Sequence, residues 1–461
     1  MERTPGSIPA RTKIPAGTMA RYAIGSIGTG GFATLPGLVL VYYLTDTLGV
    51  SALLAGLVVT IAKIWDVLID PVIGARSDRS LAHTGSRRRF MLMGAIALPV
   101  FFVLTFLVPV GTPAIAAAIW VMVAFVLCAT AFSLFQVPYI ALPAELVQDY
   151  DARTRLLTWR VVVLTFAILL FGAGGPILRS AGSDAHQGYA IMAVVAGAVI
   201  GGGMIISATV APKGAPTSPS DMQPTKAGIA DHYRTGIAVL RRSQPFRALL
   251  LTFLLQGLAT GVMLATANYV ATWVLHSEDA VTLLFLALIA PAFVFAPVWG
   301  AVARRIGKER GFFIASTVFA VAALSLTGLL WAPGPWLYVS VAVAGACYAG
   351  MQSLPMAMLP DVITHDAATH GTGSAGSFGG VWTAGETTGM ALGATLLTVV
   401  LALTGYLVRT AGVDVVQPPE AVSGIVLSFS VLPAALVLIS LVSLSRYRLR
   451  KDDIDVRTPT V

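Results

Sequence analysis

Three ionisable side chains stand together in an otherwise apolar stretch: Lys63, Asp66 and Asp70, spaced three and then four residues apart. At about 100° per residue they fall within an arc of roughly 60° on one helix face. Carboxylates one turn apart repel, so both stay ionised only beside a cation; otherwise one takes up a proton. Either way the pair can bind a coupling ion, and its oxygen ligands suit a hard cation such as Na⁺. The alternative is a fixed structural network in which Lys63 is the counter-charge. Asp70 precedes Pro71, whose ring interrupts the helix ladder and can release a carbonyl as a further ligand.

An ionisable group in hydrocarbon costs several kcal/mol unless paired or hydrated, so the few others matter too. Arg160 reads as a substrate or gate cation, or as a side chain that snorkels. Glu386 lies in Gly385-Glu386-Thr387-Thr388-Gly389, a small and polar stretch suited to a cavity wall or to close helix packing. Ser133, Gln136, Gln256, Asn268 and Tyr269 can hydrogen-bond a polar solute or join helices. The expected substrate or cavity set is Lys63, Gln136, Arg160, Gln256, Asn268 and Glu386. Asp78, Arg79, Glu145 and Asp361, beside basic turns, are the expected gate residues. Asp361, His365, Asp366 and His370 are assigned to a solvated loop after the tenth span.

Helices must hold these groups, and composition says where. Of 461 residues 56% are hydrophobic and only 11% charged, and the mean hydropathy of +0.81 excludes an ordinary soluble enzyme. No metal motif, catalytic dyad or nucleophile signature lies in any span, which argues against an intramembrane enzyme as well. A span needs roughly 20 apolar residues, and the length fits an all-α polytopic membrane protein with twelve transmembrane helices. The runs fall near 20–44, 52–75, 90–110, 114–142, 156–178 and 188–211, then 246–274, 280–303, 311–332, 336–358, 376–408 and 421–445.

These runs divide the chain into an N-terminal tail (1–19), a six-helix half (20–211), a proline-rich linker (212–245), a second six-helix half (246–446) and a C-terminal tail (447–461). The tail carries no pattern of a cleaved signal, so the first run is expected to be a retained span. With both termini in the cytoplasm, 26 of the 30 Lys and Arg residues fall on that side. Arg179 and Arg409 are the exceptions outside, with Lys63 and Arg160 in or near spans. The positive-inside rule thereby absorbs the net charge of +8 without a nucleic-acid partner. Cys128 and Cys347 both lie in apolar runs, so no disulfide framework or thiolate metal site is expected.

Two segments recur in the second half. Pro71-Val72-Ile73-Gly74-Ala75 is echoed by Pro297-Val298-Trp299-Gly300-Ala301, and Pro138, Leu142-Pro143 and Glu145 by Pro355, Leu359-Pro360 and Asp361. Such parallel halves, related by an axis along the membrane normal, are similar to the major facilitator organisation, with substrate at the midplane between them. Ala296 stands where the first half has Asp70, so the carboxylate site is one-sided.

Along nearly the whole chain the sequence resembles the glycoside-pentoside-hexuronide:cation symporter family. The resemblance is carried by Tyr43, Thr45-Asp46, Gly49, Ser51, Gly56, Trp65-Asp66, Asp70-Pro71, Gly74, Ser77-Asp78-Arg79, Gly85 and Arg87 to Arg89. It continues through Pro138-Tyr139, Ala141-Leu142, Glu145-Leu146, Asp151, Arg153-Thr154-Arg155-Leu156, Arg160, Leu359-Pro360-Asp361 and Trp382-Thr383-Ala384-Gly385-Glu386 with Gly389, Ala391, Leu392 and Gly393. It implies that Asp66 and Asp70 bind the coupling cation with Ser133 as hydroxyl ligand, that Lys63 is the family's basic position, and that Arg160 serves binding or conformational cycling. Gly30 and Gln136 stand where sugar-binding aspartates are found in the family, Ile140 replaces a tryptophan, and Thr387 a lysine. The expectation is a Na⁺- or H⁺-coupled symporter in a bacterial inner membrane, with no cofactor, acting as a monomer on a small polar or amphipathic solute. A lysophospholipid-like substrate is the second reading, and a non-transporting membrane sensor or scaffold the third.

Overall fold

The computed structural model describes residues 15–146, 150–212, 238–277, 279–370, 375–410, 415–447 and 449. Among them are eleven helices long and apolar enough to cross a membrane, and a further apolar helix, Thr388–Leu403. In hydrocarbon each backbone N–H must find its carbonyl within the same segment, so apolar runs of this length have no alternative to helix. The first half comprises α1 (Ala16–Asp46, interrupted at Gly25), α2 (Ala52–Thr84), α3 (Arg88–Phe106), α4 (Ala114–Leu146), α5 (Tyr150–Ser180) and α6 (Ala185–Ala208). The second comprises α7 (Gln244–Val274), α8 (Ala280–Ile306), α9 (Lys308–Leu330), α10 (Leu337–His370), α11 (Ala375–Leu403) and α12 (Pro419–Leu444).

The two halves pack alike. In the first, α1 packs against α5 and α6, and α4 against α2 and α3, with α3 also on α6. The second repeats the scheme: α7 against α11 and α12, α10 against α8 and α9, and α9 on α12. Between halves α1 meets α7, while α2 meets α11 and α5 meets α8, two contacts that the pseudo-twofold exchanges. This is the major facilitator architecture, in an integral membrane protein.

Contacts that join the halves gather at the end away from Ala16, Pro212 and Tyr447, here the distal end. Thr60 Oγ1 of α2 lies 2.7 Å from Thr395 Oγ1 of α11, and the Ala173 carbonyl of α5 accepts from Thr282 Oγ1 of α8 at 3.4 Å. The halves thus meet distally, while Asp70, further along α2, is exposed.

Two boundaries differ from the sequence expectation. Helix α2 runs to Thr84 and α10 to His370, so Asp361, His365, Asp366 and His370 belong to helix, not to a loop. Apolarity ends where the membrane ends, but the hydrogen-bond ladder does not. Thr364 Oγ1 donates back to the Pro360 carbonyl at 2.9 Å, and Lys308 and Asp361 pair at 2.6 Å across α9 and α10. Residues 213–237, most of the expected linker, lie outside the described residues.

Small residues set a close crossing of α7 and α11 in the second half. A Cβ on Gly393 of α11 would stand 2.5 Å from the Gly261 carbonyl carbon of α7, and one on Gly261 would stand 2.2 Å from the Met390 oxygen. Overpacking at such a site costs about 1–3 kcal/mol. Gly261→Val should therefore lower the unfolding midpoint of purified protein, whereas Gly174→Ala, whose methyl meets open space and which favours the helix, should not lower it; thermal unfolding in detergent measures both.

Candidate functional site

Helix α2 brings the three charges to one face, as their spacing requires. Lys63 Nζ donates to Asp66 Oδ2 at 3.0 Å, both side chains being largely shielded at 24% and 15% exposure. The other carboxylate oxygen, Asp66 Oδ1, is buried and has no hydrogen-bond partner. One turn on, Asp70 is exposed, and the Ser133 hydroxyl of α4 lies beside its carboxylate. Trp65 Nε1 donates to Thr130 Oγ1 at 2.8 Å, tying this part of α2 to α4. Two carboxylates, a hydroxyl and one ammonium therefore share a small volume that carries a net charge of about −1 when all are ionised. A buried carboxylate oxygen without a donor is costly, and a cation or proton there would remove the cost. Among the described residues no group of three His, Cys, Asp or Glu side chains is gathered for a metal.

A second cluster lines the same half. Gln136 Oε1 of α4 accepts from Thr29 Oγ1 of α1 at 2.7 Å, which leaves the amide nitrogen as that side chain's remaining polar group. One turn on, the Tyr139 hydroxyl donates to the Tyr22 carbonyl at 3.0 Å and lies 2.9 Å from Ser26 Oγ. On this fixed ring rests the Arg160 guanidinium, 5.4 Å from the centroid, with its Nε buried and without a hydrogen-bond partner. The next residue along α4, Ile140, is 47% exposed. Gly30, aligned with the family's first-helix aspartate, is packed into α5, where a Cβ would stand 2.8 Å from Ala167 Cβ. No carboxylate side chain fits there in this conformation.

Other expected site residues lie elsewhere. Gln256 points into the core of the second half, where Nε2 donates to Ser316 Oγ at 2.9 Å and Ser440 Oγ at 3.1 Å. Asn268 is fully buried toward the distal end and donates to the Leu38 carbonyl at 2.6 Å. The Glu145 and Glu386 side chains lie outside the described residues. Of the expected gate residues, Asp78 pairs with Arg87 at 2.5 Å within the first half and Asp361 with Lys308 within the second, while Arg79 is exposed. Each of these pairs steadies one half; neither joins the two.

Sequence reading missed the polar cluster that does join them. Asp46 at the end of α1, with Tyr406 and Arg409 after α11, is buried between the halves, as is Arg179 at the end of α5, which donates to Asn268 Oδ1 at 3.1 Å. A signal was present: Arg179 and Arg409 are the two basic residues that depart from the positive-inside pattern.

The family model described as MFS/sugar transport protein matches residues 21–451. The glucuronide carrier protein homolog of Escherichia coli (strain K12) is 23% identical over 440 residues, spanning 94% of this chain and 92% of the relative. The sphingosine-1-phosphate transporter MFSD2B of Mus musculus is 26% identical over 394 residues, spanning 80% of this chain and 76% of the relative. In fold, the crystal structure of a D-xylose-proton symporter is similar at a TM-score of 0.67 and 13% identity, covering 93% of this chain and 97% of the other. With a membrane-spanning pseudo-symmetric bundle and a family match over nearly its full length, the chain belongs to the MFS/sugar transport protein family, as a secondary transporter of a small solute and not an enzyme.

Proposed function

We propose that the chain is a cation-coupled symporter, driven by Na⁺ or H⁺, that moves a small polar or amphipathic solute, a sugar or glycoside in the first instance, by alternating access. The observation that carries this reading is the unpartnered Asp66 Oδ1 beside Asp70 and Ser133. In a low-dielectric site that oxygen is stabilised when a cation or proton arrives, which ties ion occupancy to the arrangement of α2 and α4. Coupling follows if the halves move only with the site filled by ion and solute together, or empty.

The solute would bind between the halves beside Gln136 and Arg160. Both present donors, so hydroxyl or carboxylate oxygens of the solute are the complementary groups. By the positive-inside rule both termini are cytoplasmic, the distal end faces outward and this conformation is open to the cytoplasm. Bacterial relatives support residence in a bacterial inner membrane. A lysophospholipid-like substrate is the second reading, favoured by the exposed Ile140, which follows Tyr139 in α4, and by the likeness to a sphingosine-1-phosphate transporter.

In proteoliposomes, a panel of glycosides and lysophospholipids under an inward Na⁺ or H⁺ gradient should reveal one accumulated above equilibrium. Asp66→Asn and Asp70→Asn should each abolish that uphill accumulation while counterflow exchange persists; uphill uptake retained in both variants would sink the assignment. For the same solute, Arg160→Gln removes a charged hydrogen bond worth about 1.5–3 kcal/mol, so its Kd should rise roughly tenfold to a hundredfold. An unchanged Kd by equilibrium binding would remove Arg160 from the solute site.

A further inference from the structure

The transport reading places its chemistry on α2, α4 and α5 and gives no role to the charges buried at the opposite end. There α1 ends in Thr45-Asp46, and the chain turns into α2 through Gly49, at φ +65. Against this corner lies the segment after α11, so that Leu48 and Thr410 form an isolated antiparallel bridge and the Arg409 N–H donates to the Thr45 carbonyl at 3.0 Å. A Cβ on Gly49 would stand 2.9 Å from Thr410 Cγ2, so a glycine is required by both the left-handed turn and the close approach.

We propose that Asp46, Tyr406 and Arg409 are the lock that holds the two halves together at the distal end, and that its opening admits solute from that side. The Asp46 side chain is 0% exposed and meets Arg409 Nε at 3.3 Å. The Tyr406 hydroxyl donates to the same carboxylate, 2.7 Å from both oxygens, and accepts from Trp273 Nε1 at 2.8 Å. Burial and the Asp46 charge push the Tyr406 phenol far above its usual range, so it stays a donor at any physiological pH.

Arg409 is held on its other sides as well. Its Nη2 donates to the Tyr42 hydroxyl at 2.9 Å, and its guanidinium lies 5.0 Å from the Trp273 ring centroid. Thr45 Oγ1 and the Tyr269 hydroxyl, 2.6 Å apart, add a bond between α1 and α7. Asp46, Tyr42 and Thr45 belong to the first half, whereas Tyr406, Arg409, Trp273 and Tyr269 belong to the second. Parting the halves therefore separates Asp46 from its guanidinium partner and its phenol donor in one step. Removing one partner of a buried pair is costly unless water reaches the charge left behind, so the two arrangements available are closed and dry, or open and wet.

The test uses the full-length protein in nanodiscs and needs no substrate, so its failure would leave the transport reading standing. Leu48→Cys and Thr410→Cys place thiols on antiparallel bridge partners, whose Cα atoms lie about 4.5–5.5 Å apart, inside the range of about 4.4–6.8 Å that a disulfide spans. The native Cys128 and Cys347 are both buried. Catalysed oxidation should join the pair rapidly when the lock is intact. In the Arg409→Gln and Tyr406→Phe backgrounds the initial rate should fall about tenfold and about threefold, respectively. Arg409→Lys, which keeps the charge but not the fork, should fall between wild type and Arg409→Gln. Thermal unfolding run alongside identifies any background that has lost its fold. Equal oxidation rates in wild type and in folded Arg409→Gln and Tyr406→Phe would overturn the lock.

Discussion

A carboxylate oxygen buried in a membrane helix without a donor is the constraint around which this molecule is arranged. Asp66 satisfies Oδ2 with Lys63 and leaves Oδ1 without a partner. Water cannot be excluded from such a site at low cost, and Asp70, one turn further along α2, is exposed. Neighbouring helices fix the pair in place. Helix α4 backs it through Thr130 and Ser133, and α2 reaches the second half nearer its distal end through Thr60 and Thr395.

The halves are alike in packing and unlike in chemistry. Helix pairs repeat from one half to the other, yet the Lys63, Asp66 and Asp70 triad has no counterpart at the matching position of the second half, where Ala296 corresponds to Asp70. Symmetric packing lets one half rock against the other with little change inside either, and under the proposed coupling a single half would sense the ion. Internal ion pairs agree with this division: Asp78 with Arg87 and Asp361 with Lys308 each stiffen one half, and Asp46 with Arg409 spans two.

Much of this was legible in the sequence, for physical reasons. Apolar runs of span length admit only helix, and the spacing of Lys63, Asp66 and Asp70 places them on one face. The helix ends past the membrane were not legible, because hydropathy stops at Asp361 while the backbone ladder continues to His370. Nor was the fate of Gln256 and Asn268. A polar residue on an apolar helix reads the same whether it faces a cavity or a neighbour, and the partners that decide, Ser316, Ser440 and Arg179, lie far away in the chain. Asp46 and Arg409 were hidden by the same distance, although Arg409 stood out as a positive charge on the side that has few.

Whether Asp66 and Asp70 hold the coupling ion is tested, without a substrate, by thermal stability across Na⁺, Li⁺, K⁺ and pH for wild type and for Asp70→Asn. A ligand at a hundred times its Kd stabilises the state that binds it by about 2.7 kcal/mol. With the ion held there, the midpoint rises selectively with one ion, Na⁺ or H⁺, and the response is lost in Asp70→Asn. A midpoint indifferent to every ion and to pH, or a selective rise that persists in the variant, would contradict it.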